Sequence, residues 1–295
     1  MKKGLIPGLS FLAALALAAA PAVRADDDDP NEKGSPVAHV HPVRGSRPGG
    51  ASSSPNMTYH NGTIMPSSTT KSIFWGTSWS SSDPKIAGLQ SFYTGFNQSN
   101  YAVTSDEYSG SNGQVGPTIS VLQYVLDTSS GLTRAPKTST ILAEVCKEFT
   151  GPADGTAYYA VYTDLPRGHA GYCAWHSWGS CNGAPVQFAF FFDLDGDPGC
   201  DPGDDTTGHS QGLAALANVS AHELSEARTD PRGAGWFDSS GAENGDKCAW
   251  TFNVPSVSFP NGTSWKLQGE WSNAAYTAGT GYPNNSGQKG CLDGH

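Results

Sequence analysis

The segment Ala221-His222-Glu223-Leu224-Ser225-Glu226 sets one imidazole and two carboxylates close together in the chain. On a helix, positions i and i+4 lie one above the other, so His222 and Glu226 project from the same face. An imidazole nitrogen and a carboxylate oxygen held in that way are zinc ligands. Glu223 falls at the edge of that face, where the general base of an H-E-x-x-H metalloprotease polarises water. Glu stands where that motif has its second His, so the pattern here is the variant H-E-x-x-E. A third ligand has to come from outside those two turns. Glu243, 17 residues beyond Glu226, suits a returning loop or helix. Asp246 is either a ligand itself or an acceptor that orients His222. Asp230 lies at i+8 from His222, and His60, His176 and His209 are further imidazole donors. One His with two carboxylates is a harder donor set than the usual zinc site, which leaves manganese and calcium open beside zinc. The competing reading is a surface helix with these side chains in water and Arg228 in an ordinary ion pair.

A second acidic cluster, Asp193 to Asp204, has Asp at loop positions 1, 3, 5 and 12, a spacing that resembles a calcium loop. Position 6 is Pro198 where that loop needs Gly, and position 12 is Asp204 rather than Glu, so an acidic turn is the better reading. His176 sits among aromatics in Tyr172–Trp178 and reads as a core His bonded to backbone. No Gly-x-Ser-x-Gly elbow occurs, which removes support for a serine hydrolase of that kind.

The elements that must position these residues follow from periodicity. Leu213, Leu216, Ala217, Ser220 and Leu224 form one stripe on a helix over 210–229, which Asp230-Pro231 ends because a residue before proline is pushed from helical angles. Ile86, Leu89, Phe92, Tyr93 and Phe96 predict a shorter amphipathic helix, and 141–149 another. Strands are predicted over 72–79, 118–126, 158–163, 172–178 and 186–194, with short ones around 251–259 and 264–268.

Met1-Lys2-Lys3, the apolar run Phe11–Ala20 and Ala22-Val23-Arg24-Ala25 read as a secretory signal peptide over 1–25, too short for a membrane span. No later segment is apolar enough to anchor the chain. Residues 26–55 combine Asp26–Asp29 with Pro, Gly and Ser and predict a disordered tail. From 56 to 295 the composition is uniform and predicts one domain. The formal net charge is −10, and removal of the signal leaves 14 basic against 27 acidic residues, the wrong sign for a nucleic-acid binder. With 8 Trp, 11 Tyr and 12 Phe, wholesale disorder is excluded as well. All 6 Cys lie beyond the signal and no C-x-x-C pair occurs, which favours three disulfides over a Cys-zinc site. Cys173–Cys181 and Cys248–Cys291 are the expected bridges.

Several blocks together carry a family resemblance. Tyr59-His60-Asn61-Gly62 with Ile73-Phe74-Trp75-Gly76 resembles the opening of the EXORDIUM, or phosphate-induced protein, family. Gly171-Tyr172-Cys173-Ala174-Trp175-His176 resembles its Cys-x-x-His strand. Ala221–Glu226, Asp230-Pro231, Trp236 and Gly245-Asp246-Lys247-Cys248 resemble its C-terminal signature. The resemblance covers nearly all of 56–295 and implies a secreted, cell-wall-associated protein, here similar to a bacterial member.

The expected fold is α+β: a single zincin-like domain with a mixed sheet, a central metal-site helix and disulfide reinforcement. The expected function is a secreted zinc-dependent hydrolase, peptidase-like, with Glu223 as base and His222, Glu226, Glu243 and Asp246 as ligand candidates. Its partner would be an extracellular peptide or a cell-wall polymer. The alternative is a non-catalytic wall- or carbohydrate-associated protein that binds through exposed aromatics.

Overall fold

The computed structural model describes Met1 and residues 30–31, 37–46 and 55–295; residues 2–25 of the signal peptide and the run Asp26–Asp29 lie outside the described residues. In chain order the strands are β1 (His39–Pro42), β2 (Thr58–Tyr59), β3 (Ser68–Trp75), β4 (Ser109–Gly110), β5 (Gly113–Gln114), β6 (Ile119–Val121), β7 (Val125–Asp127), β8 (Ala157–Pro166), β9 (Tyr172–Cys181), β10 (Ala184–Asp193), β11 (Trp236–Phe237), β12 (Val257–Ser258), β13 (Ser264–Trp265), β14 (Glu270–Trp271), β15 (Tyr282–Pro283) and β16 (Lys289–Leu292). The helices are α1 (Pro84–Phe96), α2 (Asn100–Val103), α3 (Thr138–Lys147), α4 (Gln211–Thr229), α5 (Asn244–Lys247) and α6 (Asn273–Ala278). Among the described residues no helix is long and apolar enough to cross a membrane.

One mixed sheet organises the chain, in the order β1-β9-β10-β8-β3-β6, with β7 also on β3. β10, β8, β3, β6 and β7 run parallel, while β9 lies antiparallel between β10 and β1. β8 is buried without a break from Ala157 to Thr163, as a parallel strand covered on both faces must be. Side chains alternate along β9. His176 therefore faces α4, and Cys181 faces the other way, where it bridges to Cys146 of α3.

Helix α4 starts where Ser210 Oγ accepts the Leu213 amide at 3.3 Å and ends at Asp230 before Pro231. It packs against β9 and β10 on one side and against α1, α5 and β13 around the rest. Every residue from Gly212 to Thr229 is buried, so the single apolar stripe read from the sequence is corrected: the helix is enclosed all round. Its polar side chains therefore need partners. Asn218 Oδ1 accepts the Gln268 amide at 2.8 Å, Ser220 Oγ pairs with Tyr162 Oη at 2.7 Å, and Arg228 donates to the carbonyls of Ala102 and Gly116.

Three further readings change. The strand predicted over 118–126 is two pieces, β6 and β7, both paired with β3. The stretch 26–55 is not a tail throughout, because His39–Pro42 is the edge strand of the main sheet; composition hid it because a four-residue edge strand needs only one buried side. The bridges are Cys146–Cys181, Cys173–Cys200 and Cys248–Cys291. The last is as expected. Cys173–Cys181 is not formed, because both residues lie on the same extended strand, β9, too far apart along it to meet.

Cys173–Cys200 ties β9 to the loop after β10 across a separation of 27 residues. Loop closure of that length is worth about 3–4 kcal/mol. The Cys173→Ser/Cys200→Ser double variant is expected to lose stability on that scale in urea unfolding. An unchanged midpoint would show that the bridge constrains nothing.

Candidate metal centre

The sheet, α4 and the turn into α5 converge on a belt of His and carboxylate side chains. His176 comes from β9, His222, Glu223 and Glu226 from α4, and Glu243 and Asp246 from the α5 turn. His176, His222, Glu223, Glu226 and Glu243 are at most 1% exposed. His176 Nε2 stands 3.0 Å from Glu243 Oε2 and 3.3 Å from Glu226 Oε2. On the far side of Glu226, Oε1 accepts the Asp246 amide at 2.9 Å and lies 3.0 Å from His222 Nε2. Asp246 Oδ1 is 3.9 Å from His222 Nε2. The four ligand candidates of the sequence therefore all reach the belt.

Two histidines that the sequence reading did not assign complete it. β1 runs antiparallel to β9 with His39 opposite His176 and His41 opposite Ala174, so period-two alternation turns both imidazoles toward α4. His39 Nδ1 is 2.6 Å from Glu243 Oε2, the same oxygen that His176 reaches. His41 is wholly buried, edge-on to the His222 ring at a centroid distance of 3.9 Å, and neither of its nitrogens has a partner. The His-x-His spacing was the available signal.

Three overlapping groups bring ligand atoms within 4.8 Å of one another: His39, His176 and Glu243; His176, Glu223 and Glu226; and His222, Glu226 and Asp246. Glu226 Oε2, Glu243 Oε1 and both oxygens of Glu223 are buried without a hydrogen bond. Unpaired buried oxygens cost about 1–3 kcal/mol each, and here several of them gather at one place.

The amide of Gln268 sets the proton of His222. Its Oε1 accepts from Trp250 N at 3.1 Å, and its Nε2 donates to the Gly245 carbonyl and to His222 Nδ1, both at 3.0 Å. With a backbone donor and a backbone acceptor fixing the amide, Nδ1 of His222 is an acceptor and the proton sits on Nε2. Nε2 lies 3.0 Å from Glu226 Oε1 but forms no hydrogen bond with it. Gly245 is needed for this closeness: a Cβ there would come 2.7 Å from His222 Nδ1 and 3.0 Å from Glu226 Oε1.

Burial disfavours charge on His176, but Glu243 and Glu226 outweigh it and hold the imidazole well above its usual range. Burial likewise pushes Glu226 and Glu243 up, but the neighbouring histidines hold both below the carboxylate range. His176 lowers Glu223 too, but does not prevail. Burial first, and the charge of Glu226 second, raise its carboxyl well above the usual range. Burial and the same neighbour raise Asp246 too. Positive charge at His176 is thus favoured in the belt, and the Glu223 carboxyl beside it is pushed toward its protonated form.

The other candidates are engaged elsewhere. His60 stacks on Phe237 and His209 on Trp265. Asp230 Oδ1 accepts the amides of Ala234 and Gly235 and shapes the turn after α4. In the Asp193–Asp204 loop, Asp193 and Asp195 pair with Lys85 and Asp197 with Arg167, while Asp201 and Asp204 accept local amides. That is the acidic turn the sequence favoured.

Compared with protein-family models, with curated proteins and with solved structures, the chain matches none.

A carboxyl raised in the fold keeps a proton that the unfolded chain has lost. The stability it contributes is full below the ordinary value of 4.5 and is lost as pH rises toward the folded value. In chelator, Glu223→Gln is therefore expected to lose less stability than wild type between pH 4.5 and neutrality. Parallel thermal melting curves across that interval would contradict this.

Proposed function

We propose that the protein is a secreted, zinc-dependent hydrolase of the peptidase-like kind, with a zincin-like use of helix α4 and membership of the EXORDIUM-type family. The observation that carries the reading is His176 Nε2 flanked by carboxylate oxygens of Glu243 and Glu226 at 3.0 and 3.3 Å, fully buried, with further carboxylate oxygens beside it unpaired. A proton on His176 balances this belt only in part, and a divalent cation replaces such protons on binding. The mix of imidazole and carboxylate suits zinc; calcium takes six to eight oxygens. The EXORDIUM-like blocks fit the same reading, since the His176 strand and the His222–Glu226 helix face each other across it.

In this assignment His176 would hold the ion together with Glu243, of its group with His39, and with Glu226, of its other group, and the ion when bound would supply a Lewis acid that acidifies water. Glu223 is the base. Its carboxyl lies within 4.8 Å of the His176 and Glu226 donor atoms, and no hydrogen bond holds either oxygen. His222 Nε2 stands 3.0 Å from Glu226 Oε1, and Asp246 presents its backbone amide to the same oxygen. The reading as a carbohydrate or wall binder asked for exposed aromatic platforms. Among the described residues no Trp, Tyr or Phe is exposed.

Protein purified without chelator is expected to carry near-stoichiometric zinc. His176→Ala should abolish it, whereas His222→Ala should weaken it about 10- to 100-fold, as loss of an orienting partner does. Glu223→Gln should keep the metal and lower hydrolysis of a peptide mixture by about 10²–10⁴-fold. Wild-type protein free of metal by elemental analysis would end the reading.

A further inference from the structure

The donors His176, Glu226 and Glu243 are withdrawn from solvent, and β1 lies against them with His39 18% exposed. Catalytic zinc sites keep one position free of protein, whereas structural sites are filled by four protein ligands. His39, His176 and Glu243 form one group whose donor atoms lie within 4.8 Å of one another, and in it the imidazole that can fill the last position beside His176 is His39, whose Nδ1 reaches Glu243 Oε2 at 2.6 Å. His39 stacks on His176 at a centroid distance of 4.9 Å.

β1 belongs to the sheet in a limited way. Its ladder runs over four residues and shifts register between His41 and Pro42. No disulfide holds it. His41 enters the centre fully buried with two unpartnered nitrogens, the mark of a side chain that fits the space without being matched to it. Beyond the ladder the backbone of this segment is held by Trp250 Nε1, which donates to the Pro42 carbonyl at 2.8 Å, and by Val43 N to Gly171 and Arg44 N to Gly199, while His39 and His41 pack on His176, Trp178, His222 and Trp250. Backbone contacts of this kind would accept any extended chain in the same place.

We propose that β1 is a resident occupant of a peptide-binding track: the edge of β9 accepts an extended polypeptide, and His39 takes the position at the ion that a substrate carbonyl must reach. The inference rests on the metal reading above and names its substrate class, an extended peptide paired antiparallel to β9. The chain with β1 in place is then a latent form, and activity requires β1 to leave.

The test uses full-length protein loaded with Co²⁺ in place of zinc, with imidazole as the probe and the visible absorption of cobalt as the readout. Wild type is expected to hold one cobalt with a spectrum that imidazole does not change. His39→Ala is expected to retain cobalt and to bind imidazole, with a spectral shift at concentrations at least ten-fold lower than any that perturb wild type. His39→Gln, which keeps a polar side chain in the strand, should behave in the same way, and guards against misfolding of the alanine variant. Equal responses in wild type and both variants would overturn the proposal, because His39 would then not stand at the ion. Absence of cobalt from wild type would instead remove the metal reading itself, and this inference with it.

Discussion

His176 stands between the carboxylates of Glu226 and Glu243 with all three side chains withdrawn from water, and a buried cluster of this kind holds only while each charge keeps its partner. Taking one such group away leaves an uncompensated ion and costs several kcal/mol, roughly 3–5. The surrounding fold therefore has to place each donor to within a few tenths of an ångström. β9 does this for His176 through ladders on both sides, α4 for Glu226 through a helix with no exposed face, and the α5 turn for Glu243 through backbone folded tightly against α4.

That last contact shows how far the backbone is recruited. Gly245 approaches so closely that its carbonyl accepts from Gln268 and no Cβ would fit against His222. The Asp246 amide then reaches Glu226, and Cys248, two residues on, is bridged to Cys291. Lys247 pairs with Asp238 at 2.7 Å across the same turn. A turn tied at this many points does not need length: α5 is four residues long. The Cys173–Cys200 bridge anchors the opposite side, three residues before His176 on β9.

The sequence made the secondary structure legible wherever periodicity was strong. The helix ending at Asp230-Pro231, the aromatic strand before Gly76, and the three strands between Ala157 and Asp193 all lie within a few residues of where their patterns place them. It was less legible where neighbours decide. The stripe on α4 looks amphipathic because Asn218, His222, Glu223, Glu226 and Arg228 are polar, yet each is buried, since partners distant in sequence enclose that face as well. The pair Cys173–Cys181 looks local in sequence and is impossible on an extended strand.

What the sequence by itself determined is the chemistry on α4: His222, Glu223 and Glu226 share one helix because spacing within a helix is a property of the backbone alone. It also placed Glu243 and Asp246 as carboxylates able to return. Only the tertiary structure decided which imidazole the carboxylates meet. His176 is 46 residues before His222 and His39 lies far earlier still; strand pairing, which no local pattern specifies, sets them opposite each other and onto Glu243. The protonation of His222 was decided the same way, by a glutamine 46 residues downstream whose own orientation depends on Trp250 and Gly245. Residue types set what the groups can do, and long-range packing chooses among those roles because burial makes every unmatched charge costly.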